Sequence, residues 1–202
     1  MKKSLFNTRQ MVTMSVLAAI GAMLYILFGI PVFGTIYKLD FSNIPVLLAA
    51  FSMGPVPGLV TLLLKDIIHL LFKGIGSSAG IGDLADFITG AALILPASLY
   101  YLRNKTRRGA VIGMVLGTLC MTAVALAVNA WILFPFYMNA YHMDLLKIAG
   151  MLGMKESNGM LSILLATTLP FNLLKGVVLS VLTALIYKPL SPILHSYKGK
   201  RK

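Results

Sequence analysis

The stretch Leu102-Arg103-Asn104-Lys105-Thr106-Arg107-Arg108-Gly109 places a dense group of cations between two long apolar runs. In a soluble chain such a cluster would suggest a nucleic-acid surface. Between apolar runs it marks the cytoplasmic side of a membrane, and no nucleic-acid partner is expected. Outward from this point the same sign recurs at both ends: Lys2, Lys3 and Arg9 precede the first apolar run, and Lys188, Lys198, Lys200, Arg201 and Lys202 close the chain. Together the three clusters equal the formal net charge of +12, the difference between 18 Lys and Arg and 6 Asp and Glu. The other bases, Lys38, Lys65, Lys73, Lys147, Lys155 and Lys175, are balanced by Asp40, Asp66, Asp83, Asp86, Asp144 and Glu156. Since Lys and Arg near span ends are retained in the cytoplasm, the three clusters share that side and an even number of spans separates them.

Composition agrees. The 202 residues are 58% hydrophobic and 12% charged, with a mean hydropathy of +0.86. Such a chain fits the lipid bilayer as a single polytopic domain over residues 1–202. The first apolar run is too long for a signal-peptide core and has no convincing cleavage site after it. Cys120 is the single cysteine, which excludes an intramolecular disulfide or a thiolate metal cluster.

The pattern predicts an all-α membrane protein with six transmembrane helices, at 11–30, 43–53, 58–73, 83–102, 109–134 and 170–187, and with both termini cytoplasmic. Helix one stops at Pro31, which restricts the residue before it, and 31–42 is an external loop. The second run is about 16 Å long at 1.5 Å per residue, too short to cross upright, so it is a short or tilted span leaning on neighbours. Gly54-Pro55-Val56-Pro57-Gly58 reads as a tight turn, and 74–82 as a flexible external loop. Helix five is expected to end before Pro135, and 135–159 to lie outside. The last span admits two readings: one long helix from 160 to 187 kinked at Pro170, or a membrane helix that begins at Pro170 with Thr167 or Thr168 as its cap. The second is preferred, with 160–169 folded over the external mouth.

An ionisable residue inside a span is a functional candidate because it is costly there. Lys175 is such a residue, and Asn172 shares its helix face. On helix five Asn129 lies at the same depth, about 7.5 Å below the outer end. Two asparagines and a lysine suit an uncharged planar ligand with an imide edge, since asparagine offers a donor and an acceptor side by side and lysine offers donors. Trp131, Phe134, Phe136, Tyr137 and Phe171 could line the apolar remainder. The structural alternative is that the asparagines bond between helices while Lys175 pairs with an acid or snorkels outward.

Asp83 and Asp86 open helix four, either as paired carboxylates or, the preferred reading, as capping acids at a helix N-terminus. Lys65-Asp66 is an intramembrane pair whose partners are expected elsewhere in the chain. His69 reads as a hydrogen-bonded helix residue, and His142 and His195 are too isolated for a metal site. Ala18 with Ala22, and Gly113 with Gly117, form small-residue helix faces of a kind that usually packs within one protein.

Leu39-Asp40-Phe41-Ser42-Asn43-Ile44-Pro45, the following Gly54-Pro55, Asn129, and Pro170-Phe171-Asn172-Leu173-Leu174-Lys175-Gly176 together resemble the riboflavin-binding S components of energy-coupling factor (ECF) transporters, the RibU type. The resemblance covers nearly the whole chain. It implies that Asn129, Asn172 and Lys175 hold the pyrimidine edge of the isoalloxazine ring, and that Leu39, Asp40 and Phe41 belong to a lid. It further implies docking to a membrane coupling subunit through Ala18 and Ala22, and energy from two ATPase subunits, in a multi-pass protein of the bacterial cell membrane. Riboflavin would be the transported ligand, with no resident cofactor. The alternatives are an S component for another vitamin, a proton-coupled secondary transporter using Asp66, Asp83 or Asp86, and an intramembrane enzyme. No P-loop occurs, no Ser or Cys nucleophile stands beside a plausible base, and no HExxH site is present, so neither a self-contained ATPase nor an enzyme is expected.

Overall fold

The computed structural model describes residues 6–33, 37–74, 80–154 and 159–195. Most of the expected external loop at 74–82, and the last basic residues of the chain, lie outside them. The helix α1 (Thr8–Leu27) opens with a reciprocal cap between Asn7 and Gln10. The 31–42 segment is more than a loop: β1 (Ile30–Phe33) and β2 (Tyr37–Leu39) form a two-stranded antiparallel hairpin, with Ile30 opposite Leu39. Then come α2 (Asn43–Met53) and α3 (Pro55–Lys73). The tight turn expected over 54–58 shrinks to Gly54, whose φ of +110° suits a residue without a β-carbon; Pro55 occupies the first turn of α3, where its missing N–H costs nothing.

The helix α4 (Ile81–Arg103) is followed by α5 (Arg107–Val128). Neither proline expected to bound the last two long helices, Pro135 or Pro170, does so, while α1 ends at Leu27, short of Pro31 in β1. After α5 the chain makes a π-helical turn over Asn129–Leu133 and runs on as α6 (Phe134–Ala140). After α7 (Leu145–Met151) and α8 (Met160–Ile163), a second π-helical turn over Leu164–Thr168 leads into α9 (Leu169–His195). The preferred reading of a helix beginning at Pro170 is therefore corrected: one apolar helix runs from Met160 to Tyr187. The physical reason is shared. A proline lacks its N–H and crowds the carbonyl four residues earlier. In both helices the wide π turn ends two residues before the proline, at Pro135 and at Pro170, and makes room for the ring without breaking the helix.

Among the described residues five helices are long and apolar enough to cross a membrane: Thr8–Leu27, Pro55–Lys73, Ile81–Arg103, Arg107–Ala140 and Met160–Tyr187. The short α2 stands among them with Asn43 through Phe51 buried, in contact with α1, α3, α4 and α9. A helix that is apolar on all sides is stable when enclosed on all sides. Among the described residues the most extensive helix contact is that of α4 with α5. A β-carbon at Gly113 would sit 2.6 Å from the Ala97 carbonyl oxygen, and one at Gly117 would overlap the Leu93 carbonyl. Close backbone approach of this kind replaces the hydrophobic driving force that lipid removes.

Candidate functional site

The hairpin, the first turns of α4, the C-terminal end of α5, α6 and the start of α9 enclose a cavity of about 360 Å³. Asn129, Asn172, Lys175 and Asp40 all line it, so the structure gathers four of the residues singled out in the sequence. Each asparagine is positioned by its own helix: Asn129 Nδ2 donates to the Ala125 carbonyl and Asn172 Nδ2 to the Thr168 carbonyl, both at 2.8 Å. One amide proton of each remains for a ligand. Both residues sit beside π turns, Asn129 as the first residue of one and Asn172 four residues beyond the other.

Tyr37, from the hairpin, ties these helices together. Its hydroxyl donates to Asn129 Oδ1 at 2.8 Å and lies 2.6 Å from Thr168 Oγ1, and its ring stacks on Phe171 with centroids 4.9 Å apart. Burial pushes the Tyr37 phenol up to about 12, so it remains a neutral donor at physiological pH. Thr167 and Thr168 are thus not helix caps: the first bonds back to the Ile163 carbonyl and the second meets Tyr37.

Below the asparagines lies a buried charge network. Lys175 Nζ donates to Asp40 Oδ2 at 3.1 Å and to Asp86 Oδ1 at 3.4 Å. Asp86 Oδ2 accepts from Lys65 Nζ at 2.5 Å, and Lys65 also reaches Asn43 Oδ1 at 3.2 Å and Ser42 Oγ at 3.3 Å. Asp40 Oδ1 accepts from the Ser42 N–H at 2.9 Å and from the Ser42 hydroxyl. Asp66 Oδ1 is 3.0 Å from Lys65 Nζ but off the hydrogen-bonding direction, and among the described residues neither Asp66 oxygen has a hydrogen-bond partner. Two ammonium groups and three carboxyl groups thus share one enclosed region, and Lys65 has no exposed surface at all. Close pairing is what makes such charges tolerable away from water.

The capping reading of Asp83 and Asp86 is corrected by this arrangement. The residue before α4 is Gly80, which offers no side-chain cap. Asp83 pairs with His69 Nδ1, and the His69 ring stacks on Tyr25 with centroids 3.9 Å apart. Lys65 and Asp66 meet despite being adjacent, with Asp86 as the main partner from elsewhere. Among the proposed aromatic lining, Phe134, Tyr137 and Phe171 face the cavity. Trp131 is 79% exposed and faces outward, because it projects from the far side of the π turn; Phe136 is not part of the wall. Leu39 and Phe41 flank Asp40 but pack into apolar clusters on either side of it. Ala18 and Ala22 are buried inside the chain's own helix packing, leaving neither free for a partner in this conformation. Among the described residues no group of three metal-binding side chains occurs. Tyr25 and Tyr37 are among the wall residues that sequence reading missed; their positions beside an apolar helix end and in a presumed loop carried no signal.

Three comparisons bear on this geometry. A family model described as "ECF transporter, substrate-specific component" matches residues 9–187. The chain is 32% identical over 194 residues to "Riboflavin transporter RibU" of Staphylococcus aureus (strain TCH60), covering 96% of each protein. It is 28% identical over 187 residues to "Riboflavin transporter FmnP" of Bacillus subtilis (strain 168), covering 92% of this chain and 94% of the relative. A solved structure described as "Structure and mechanism of the S component of a bacterial ECF transporter" superposes with a TM-score of 0.72 at 30% identity, covering 92% of this chain and 97% of that one.

Proposed function

The chain belongs to the ECF transporter substrate-specific components, and from that premise we propose that it captures riboflavin from outside the cell in the cavity beneath the hairpin. It is a transport component and not an enzyme. The observation that carries the site assignment is the convergence of Asn129, Asn172 and Lys175 on one cavity of a size suited to a small ligand. The spare amide protons of the asparagines face the imide edge of the flavin. Lys175 has three protons, of which Asp40 and Asp86 take two, leaving one for a ring carbonyl. Phe134, Tyr137 and Phe171 supply apolar surface for the rest of the ring system.

Asp40 gives the lid its latch. It stands at the end of the hairpin strand β2 and pairs with Lys175 on α9, while Leu39 and Phe41 anchor the strand on either side. A ligand that draws on Lys175 therefore acts on the hairpin through the same ammonium. The remaining parts of the reading follow the family: one polytopic domain over 1–202 in a bacterial cell membrane, six spans with α2 as the short one, both termini inside, and a membrane coupling subunit with two ATPase subunits as partners. We assign the coupling contact on α1 to its exposed face, which carries Val12, Val16, Ile20 and Met23, since Ala18 and Ala22 are enclosed.

The test is titration of flavin-free protein in detergent with riboflavin, read as quenching of flavin fluorescence. Saturable tight binding that is lost in Lys175→Ala is expected. Absence of quenching, with saturable binding of another vitamin, would replace riboflavin while keeping the transport role.

A further inference from the structure

A second cavity, of about 640 Å³, opens at the opposite end of the molecule, beside the turn that carries the central basic cluster. Its mouth is formed by Lys105, Thr106 and Arg107. From Arg107 to Val115 along α5 it extends about 12 Å at 1.5 Å per residue. The walls are apolar: Ala110, Met114 and Val115 on α5 face Val181 and Ala184 on α9. Val111, Val115 and Val181 are each more than half exposed, so the groove opens sideways where the bilayer lies as well as upward at its basic mouth. The inner wall is aromatic, with Tyr101 and Tyr187 edge-on to Phe51 and their hydroxyls 3.2 Å apart. On its floor Thr183, 1% exposed, has a hydroxyl with no hydrogen-bond partner among the described residues.

We propose that this groove holds one anionic phospholipid, with its phosphate at Lys105 and Arg107 and an acyl chain laid between α5 and α9. The charge pattern selects the headgroup: two exposed cations at the mouth of an apolar slot between membrane helices attract an acidic lipid, and paired tyrosines suit the level where headgroup meets chain. The walls select a hydrocarbon tail. A peptide in the slot would leave most of its backbone groups without partners, because the Ser180 hydroxyl is already donated to the Gly176 carbonyl and only the hydroxyls of Thr183, Tyr101 and Tyr187 interrupt the apolar walls. The site is remote from the first cavity and independent of which ligand that cavity takes.

The experiment is native mass spectrometry of the full chain stripped of lipid in detergent, titrated with phosphatidylglycerol and with phosphatidylcholine of the same acyl chains. One tightly held phosphatidylglycerol is expected, preferred over phosphatidylcholine and not displaced by glycerol 3-phosphate. The double variant Lys105→Gln/Arg107→Gln should weaken it roughly 30-fold, the combined effect of two basic side chains at an anionic headgroup. Arg103→Gln/Arg108→Gln removes the same charge outside the groove and should leave the affinity unchanged. Ala184→Phe, which fills the slot, should weaken both lipids; if that variant misfolds, the two charge variants still decide. Equal affinity for the two lipids, equal loss in both double variants, or displacement by glycerol 3-phosphate would overturn the proposal in favour of ordinary boundary lipid, diffuse attraction or a free-phosphate site respectively.

Discussion

Asp86 is shared by two lysines, 2.5 Å from Lys65 and 3.4 Å from Lys175, and its removal takes the nearest carboxylate from Lys65 and leaves Lys175 with Asp40 alone. Breaking a buried pair by deleting one member costs about 3–5 kcal/mol, since the remaining charge stays enclosed. Asp86→Asn should therefore lower the thermal midpoint sharply, and adding Lys65→Met should recover part of the loss; a single variant as stable as the parent would show that the network carries no such strain. Asn172→Leu is a different case. Its amide is anchored to its own helix, so the fold should hold while riboflavin affinity falls by about 1–3 kcal/mol through the unpaired ring edge, measured by the same fluorescence titration. Full affinity in that variant would remove Asn172 from the site. At this scale Lys175 and the asparagines are legible in the sequence because polar groups in apolar runs stand out. The acids are not, since Asp83 and Asp86 occupy the opening turns of a helix, where capping explains them equally well. Counting charges across all spans would have helped: Lys65 and Lys175 demand buried anions, and few acids are deep enough to supply them.

The elements were legible where hydrophobicity alone sets them, and illegible where proline chemistry does. The short α2 follows from its run of apolar residues, and its bounds are those expected. The sequence predicts a helix ending before Pro135 and another beginning at Pro170, because proline normally bounds a helix, and a π turn leaves no mark in hydrophobic periodicity. The Phe134 N–H bonds to the Asn129 carbonyl five residues back, so deleting Ile132 would make the same bond a four-residue α-helical step, leaving Phe134 and Tyr137 nearly in place but bringing the Pro135 ring against the carbonyl four residues before it. The deletion should cost about 3 kcal/mol, as an interior helix proline does, read as a lower thermal midpoint, and Pro135→Ala in the same background should restore most of it. A deletion as stable as the parent would mean that the turn does not accommodate Pro135. The hairpin was invisible for another reason: its strands are short, and Pro31 within β1 argues for loop.

For the molecule as a whole, the three basic clusters predict sidedness independently of the helix boundaries. In a Cys120→Ser background, a cysteine replacing Asn104 should react with a membrane-impermeant thiol reagent only after cells are opened. One replacing Leu146, 61% exposed in α7, should react in intact cells. The reverse pattern would invert the topology and place the asparagine cavity inside. The charge asymmetry was readable because it survives any error in the spans; the mutual placement of helices was not, because lipid-facing and core-facing positions are equally apolar. The enclosure of α2 bears on how the chain is made. A segment of this length gains too little from lipid to leave the translocation channel alone, so it should enter as a unit with α3 across the Gly54 hinge. One of the surfaces that shelters it, α9, leaves the ribosome after the other three. Until then a wall of α2 stays uncovered, and a nascent protein halted before α9 would present that wall to the proteases that survey the membrane.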